Sequence, residues 1–326
     1  MTGDILLSIQ NPAKLFTFKD YKSEYHKLSM QFHPDHGGDA KVFAHLNELY
    51  KKANELATNG GWGSLGTLLF TDIKGNKHGF AYNSINTFSM GFIYTGDSYI
   101  IYFIENKYSN MSIPTFTFSS DRMKKEFENM LPSFYKTYAT KEGTYFVIDK
   151  LPTAYLLRDV IKTIHIDIKH VAWILSRLYN FGCYMEWAKL ISNDISIDTI
   201  LIDPTTHKVF LFGGWWHSTT VGKKIKSMPL HTYNILPHSI IANGIATMNI
   251  VSEQIHALGR QLVGNRTGGY LELSKINPSF AEWLTNGGKD SIIKEYKEWD
   301  GVTLQSIFGE RKFIKWDLKA EDIYPL

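Results

Sequence analysis

The sequence predicts an α+β multidomain chain: a helical hairpin, then an antiparallel sheet interrupted by one helix, then a mainly helical domain. Three observations lead there. Apolar residues recur at spacings of three and four up to about Ala57; short runs rich in Thr, Ile, Phe and Tyr, separated by turn formers, continue to Leu151; helical periodicity then returns. At 326 residues the chain exceeds one ordinary domain and has room for two or three. The expected divisions are a helical unit over 1–58, a Gly-rich linker over 59–66, a sheet unit over 67–150 and a helical unit over 151–326, with no internal repeat.

Within the first unit, Phe18, Tyr21, Tyr25, Leu28 and Phe32 form one apolar seam that ends where Pro34 forbids further helix. Phe43, Leu46, Tyr50, Ala53 and Ala57 repeat the spacing after the gap. The two seams can meet only in an antiparallel hairpin, with Gly37 and Gly38 permitting the reversal and Asp39 available as a cap. This places His33-Pro34-Asp35 at the exposed tip. Lys19, Lys22 and His26, with Lys27 beside them, make a basic helix face able to steer docking on an acidic surface, although Asp20 and Glu24 dilute it. His36 and His45 read as surface residues without a role.

The segment "YHKLSMQFHPDHGGDAKVFAHLNELYKKA" resembles the J-domain of DnaJ-type co-chaperones, over about residues 14–57. The resemblance implies that His33, Pro34 and Asp35 dock on a DnaK-type ATPase chaperone and stimulate its ATP hydrolysis. A fixed proline reduces the ordering cost of binding, and an exposed carboxylate can meet a partner's arginine.

"TLLFTDI", "MGFIYTG", "SYIIYFI" and "TYFVIDK" read as strands and "SSDRMKKEFENMLPSFY" as one helix between them. "IDIKHVAWILSRLYN" and "SEQIHALGRQLV" are helical, with a strand pair at "TILID" and "KVFLF". Gly61, Gly63 and Gly66 stand at GxGxxG spacing, either a phosphate cradle or a hinge, and the lack of a preceding strand favours the hinge. Trp215 and Trp216 read as core anchors and the single cysteine, Cys183, as a buried thiol.

"AKLISNDISIDTILID" resembles the catalytic loop of the protein kinase-like superfamily, and the resemblance extends over about 67–316 as a two-lobed fold, with the small lobe over 67–150 and the large lobe over 151–326. It implies Asp194 at the catalytic aspartate, Ser192 at the preceding histidine and Thr199 at the metal-binding asparagine. The carboxylate that holds magnesium falls at Phe212 or Gly213 in "KVFLFGGWWHS", and no aspartate occurs between Asp203 and Asp290. Phosphoryl transfer depends on metal-assisted charge neutralisation, so Asp194, Thr199 and Gly213 read as vestigial and the expectation is a pseudokinase with no enzymatic activity. The third-strand lysine lacks a clear equivalent, Lys107 being displaced toward the strand end. Glu126 or Glu128 could stand at the helix glutamate, and Ser252 or Glu253 at the start of a large-lobe helix.

The combined expectation is a non-catalytic adaptor: the J-domain recruits and stimulates the chaperone while the pseudokinase binds a client or partner protein. An atypical kinase using Asp194 as base, with Asp203 or Glu253 recruited to metal, and a metal-independent nucleotide-binding switch are the alternatives. No cofactor and no metal-ligand set is expected. With 35 basic against 32 acidic residues and a formal charge of +3, there is no strong nucleic-acid signal. One cysteine, no basic leader before "DILLSIQNP" and no apolar run of roughly 18 residues predict a cytoplasmic protein without a membrane span. Pairing of a J-domain with a degenerate kinase-like domain is similar to proteins of bacteria and large bacteriophages, which implies a prokaryotic or viral setting.

Overall fold

Pro34 and the glycines after it govern the amino-terminal unit. In the computed structural model, which describes residues 1–16, 20–59, 66–108, 113–132, 134–264, 276–310 and 314–324, this unit contains α1 (Gly3–Ser8), α2 (Tyr21–Phe32) and α3 (Ala40–Asn59). Helices α2 and α3 run antiparallel. Tyr25 stacks on Tyr50 with centroids 3.8 Å apart and donates to Asn47 Oδ1 at 2.8 Å, and Tyr21 donates to Asn54 Oδ1 at 3.0 Å. The core between them holds Phe32, Val42, Leu46, Leu49 and Ala53, with Leu6 and Phe16 added from the preceding chain. Tyr21, Tyr25, Leu28, Phe43 and Tyr50 pack partly buried against it, so the two seams meet as expected. Phe18 and Lys19 lie outside the described residues, as do Gly61 and Gly63.

Beyond the hairpin the chain forms β1 (Gly66–Thr71), β2 (Lys77–Tyr82), β3 (Ser84–Phe88), β4 (Gly91–Thr95) and β5 (Tyr99–Glu105). Next come α4 (Asp121–Phe127), β6 (Phe134–Ala139) and β7 (Gly143–Asp149). Strands β3-β4-β5-β7-β6 make an antiparallel sheet, and β1 and β2 make a separate two-stranded hairpin. Gly66 is therefore a strand residue, paired with Tyr82. The expected helix through "ENMLPSFY" is corrected: α4 ends at Phe127, one 3-10 turn covers Glu128–Met130, and Phe134 opens a strand. Pro132 cannot continue a helix, and the residues after it gain ladder bonds with β7.

Strand β5 shows why these runs are so apolar. Its alternate side chains serve two cores, Ile100, Tyr102 and Ile104 on one face and Ile101 and Phe103 on the other. The β1–β2 hairpin covers the second face with Leu68, Phe70, Phe80 and Tyr82, and Phe70 stacks on Tyr145 with centroids 3.9 Å apart. The first face packs on the following domain.

That domain begins with β8 (Tyr155–Leu156), α5 (Leu157–Thr163), α6 (Ile168–Ala188), β9 (Leu190–Ile191), β10 (Ile200–Asp203), β11 (Lys208–Leu211) and β12 (Thr219–Thr220). It continues through α7 (Leu230–Ile235), α8 (His238–Asn243), α9 (Asn249–Leu262), α10 (Pro278–Thr285), α11 (Ile292–Glu298), a π-helical turn (Trp299–Thr303), α12 (Leu304–Phe308) and α13 (Ala320–Ile323). Small sheets β11-β10-β8 and β12-β9 lie among the helices, with β10–β11 the expected strand pair. Helices α6 and α9 form the centre of the large core, which Phe127, Met130 and Leu131 enter from α4 and its turn. Phe127 stacks on Tyr184 at 5.1 Å, so the helix between the strands packs on the helical domain. Together these elements are a mixed α+β architecture, as the sequence predicts, and no helix among the described residues is long and apolar enough to cross a membrane.

Two buried carboxylates tie the parts. Asp159 of α5 accepts from Ser84 and Asn86 of β3, at 2.5 and 2.8 Å, and from the Tyr324 hydroxyl at 3.1 Å. Glu295 of α11 is fully buried and accepts from His256 Nε2 at 2.7 Å, Ser252 Oγ at 2.5 Å and Tyr179 Oη at 3.0 Å. Burial alone would raise the Glu295 carboxyl, and these donors, His256 first, outweigh it and hold the pKa below its ordinary value.

Candidate functional site

Phe32 is the last residue of α2, and the backbone at His33 is extended. Pro34–His36 then make one 3-10 turn, and the His33 carbonyl accepts from the amides of His36 and Gly38, both at 3.0 Å. Gly37 adopts φ +82° and closes the turn through its amide to Pro34 O at 2.9 Å. Gly38 is needed for a different reason: a Cβ there would lie 2.1 Å from Phe32 O. Asp39 caps α3, accepting from the amides of Lys41 and Val42 at 2.8 and 3.0 Å.

This scaffold orients the tripeptide. His33 Nδ1 accepts from the Asp35 amide at 3.2 Å, which leaves the ring proton on Nε2, and Phe43 supports the ring edge-on at 4.7 Å. Pro34 is exposed, and the Asp35 side chain is 84% exposed. Lys22, His26 and Lys27 are exposed on α2, whereas Lys19 falls outside the described residues. The reading of His45 is corrected: it is half-buried, and its Nε2 donates to Ile9 O at 2.8 Å, holding the amino-terminal segment. A histidine in the second turn of α3 carries no local signal of a partner 36 residues away.

The second expected site lies between β9 and β10. Asp194, Thr199 and Gly213 do come together: the Thr199 hydroxyl donates to Asp194 O at 2.9 Å, and the amides of Phe212 and Gly213 donate to Thr199 O at 3.0 and 3.2 Å. Gly214, at φ +81°, permits the close approach, because a Cβ there would lie 2.4 Å from Asp194 O. The buried Asp194 carboxylate accepts from Ser196 Oγ at 2.8 Å and from His231 Nε2 at 3.0 Å. Its partners are thus side chains. The ring of His231 is half-exposed; burial favours its neutral form, but the hydrogen bond to Asp194 and that charge outweigh burial and raise its pKa. Gln254 of α9 grips the same loop, accepting from the Ile195 amide at 2.7 Å and donating to Ser192 O at 2.9 Å. Sequence reasoning missed His231 and Gln254, since neither stands near the loop in the chain.

Beside Gly213 the space is filled. Fully buried Tyr102 donates to Asp198 O at 2.9 Å, lies 5.1 Å from the Trp216 ring and would meet a Cβ on Gly213 at 2.7 Å through its oxygen. Burial keeps the Tyr102 phenol well above its ordinary pKa, so it stays a neutral donor. Ile93, Ile148, Leu156, Leu201, Phe210 and Phe212 close the same cluster. The opening at its edge, against Trp216 and Phe146, holds about 40 Å³, against the several hundred Å³ that a ligand pocket requires. Trp215 and Trp216 are both core residues, as expected.

The other candidate carboxylates are engaged. Asp203 accepts from the amides of Thr205 and Thr206, and Glu253 from the Gly288 amide at 2.7 Å. Ser252 donates to Glu295. Glu128 pairs with Lys124 at 3.6 Å on an exposed surface, Glu126 accepts from Asn180 at 3.4 Å, and Lys107 pairs with Glu105 at 2.6 Å in the turn after β5. The thiol of Cys183 is only partly buried, which still pushes it up to about 11. Among the described residues no group of three His, Cys, Asp or Glu side chains is placed to hold a metal ion. No protein-family model and no curated protein matches the chain.

Proposed function

We propose that the chain is a cytoplasmic co-chaperone of the J-domain type, in which the α2–α3 hairpin docks on a DnaK-type ATPase chaperone and stimulates it. The observation that carries this reading is the loop of His33, Pro34 and Asp35: it projects from the tip of a rigid hairpin, with its conformation set by four hydrogen bonds within residues 33–38. Binding then orders little new backbone, and the Asp35 carboxylate and His33 Nε2 are presented together. Lys22, His26 and Lys27 are exposed along the helix that leads into this loop and would steer the encounter with an acidic surface.

The remainder is proposed to be a kinase-like domain without catalysis that holds a client or partner protein, raising the chaperone's effective concentration at whatever it binds. Supporting this are the side chains that occupy the region beside Gly213, and the engagement of the Asp194 carboxylate by Ser196 and His231. Replacing His33 by Gln or Asp35 by Asn is expected to abolish stimulation of single-turnover ATP hydrolysis by the chaperone; retained stimulation would refute the reading. Transfer of labelled phosphate that disappears on Asp194→Ala would instead establish an atypical kinase, and a thermal shift with ATP alone would establish a nucleotide switch.

A further inference from the structure

A groove of about 620 Å³ opens in the helical domain, between one face of α6 and the wall formed by α11, the π-helical turn and α12. Its size is that of a small-molecule pocket. From α6 it takes Lys169, His170, Trp173 and Arg177, whose spacing of one, four and eight residues from Lys169 keeps them on one face. Tyr296, Asp300, Leu304 and Phe308 face them. Neither loop 192–199 nor Gly213 contributes to this lining, so the groove is independent of the regions discussed above.

Two backbone irregularities converge here. Trp299–Thr303 is a π-helical turn, a rare feature that recurs at functional sites, and it brings Asp300 into the wall. His207, at the β10–β11 turn, has φ +52°, in the left-handed region that histidine enters more readily than most side chains. Its carbonyl accepts from Trp173 Nε1 at 3.3 Å, and the two rings lie 4.9 Å apart. The indole is thereby fixed as an aromatic surface with no free donor. His170 is stacked on Trp316 at 4.4 Å, and burial lowers the pKa of both His170 and His207, so the imidazoles are neutral at pH 7.

The charges around this aromatic floor are unequal in kind. Lys169 and Arg177 are exposed and have no side-chain hydrogen bond or ion pair among the described residues; two turns of helix separate them, about 12 Å. Glu310 sets negative charge on the opposite wall. A ring entering the groove gains aromatic contact, and a single anionic group on it meets Arg177 or Lys169 at the mouth. A dianion would meet the same cations but also the facing Glu310 carboxylate. We infer that this groove is a binding site for a planar aromatic monoanion, with the ring beside Trp173 and Phe308 and the anionic group on Arg177.

The test uses the intact chain and anilinonaphthalene sulfonate as fluorescent probe, with the Trp173 indole N–H resonance as local reporter. The probe is expected to shift that resonance, and indole carboxylate is expected to displace it at least tenfold better than neutral indole or AMP. Arg177→Gln, at an exposed position, is expected to weaken indole carboxylate about tenfold and leave indole unchanged. Equal displacement by indole and its carboxylate, stronger displacement by AMP, an unmoved Trp173 resonance, or indifference to Arg177→Gln would each overturn the assignment.

Discussion

Gly38→Ala separates the geometry of the proposed docking loop from its chemistry. The added Cβ would stand 2.1 Å from Phe32 O, 2.3 Å from Phe32 C and 2.8 Å from Phe32 Cα. Those atoms are main chain at the end of α2 and cannot rotate aside, so the loop must abandon the arrangement in which His33 O accepts two amides. Holding a backbone against such a conflict costs of order 1–3 kcal/mol. If the docking-competent loop falls in population by that amount, apparent affinity for the chaperone falls about 5- to 150-fold. The aromatic seam of Tyr25 and Tyr50 is untouched, so the hairpin remains folded. Gly37→Ala is the internal control: its φ of +82° disfavours a side chain, but nothing lies within 4 Å, and the penalty is only about 1 kcal/mol. The assay is the concentration dependence of single-turnover ATPase stimulation, with far-UV circular dichroism as the check on folding. Normal stimulation by Gly38→Ala, or a larger loss with Gly37→Ala, would refute the reasoning.

His256→Ala leaves the buried Glu295 carboxylate without its imidazole partner and should cost about 3–5 kcal/mol in urea unfolding. Because the folded pKa of Glu295 is lowered, its contribution is present above the ordinary carboxyl value of 4.5 and lost as pH falls through the folded value; the variant should lose less stability over that acid interval. Gly213→Asp, which restores an aspartate where the kinase-like resemblance calls for one, should clash with Tyr102, destabilise by about 1–3 kcal/mol and yield no thermal shift with magnesium and ATP. The folded pKa of His231 is raised, so its tie between α7 and Asp194 is complete below the ring's ordinary value of 6.5 and lost as pH rises through the elevated one; amide protection over 230–235 should fall across that range and lose its pH dependence in His231→Gln.

The hairpin was legible because its determinants are local. Apolar spacing, Pro34 and the paired glycines act within a few residues of where they stand, and α2, the turn and α3 follow. The strands β4, β5 and β7 were legible for the same reason, while β2, β3 and β6 passed unread. "KHGFAY" and "SINTF" contain polar residues and little alternation, and they are strands because β1 and β4 supply their ladders. "FYKTYA" is a strand because β7 supplies its ladder. Asp194, Thr199 and Gly213 could be picked out in the chain, but not their surroundings: His231 lies 37 residues from Asp194, and Tyr102 lies 96 from Asp198.

By itself the sequence determined the helical periodicity, the tip that carries His33-Pro34-Asp35 and the absence of an aspartate between Asp203 and Asp290, since each depends on residue identity at short range. Tertiary structure alone decided that Tyr102 and Trp216 fill the region beside Gly213, that Ser196 and His231 occupy the Asp194 carboxylate, and that Lys169 and Arg177 flank an open aromatic groove. Burial and hydrogen bonding between residues far apart in the chain are properties of packing, and packing exists only once the elements have met.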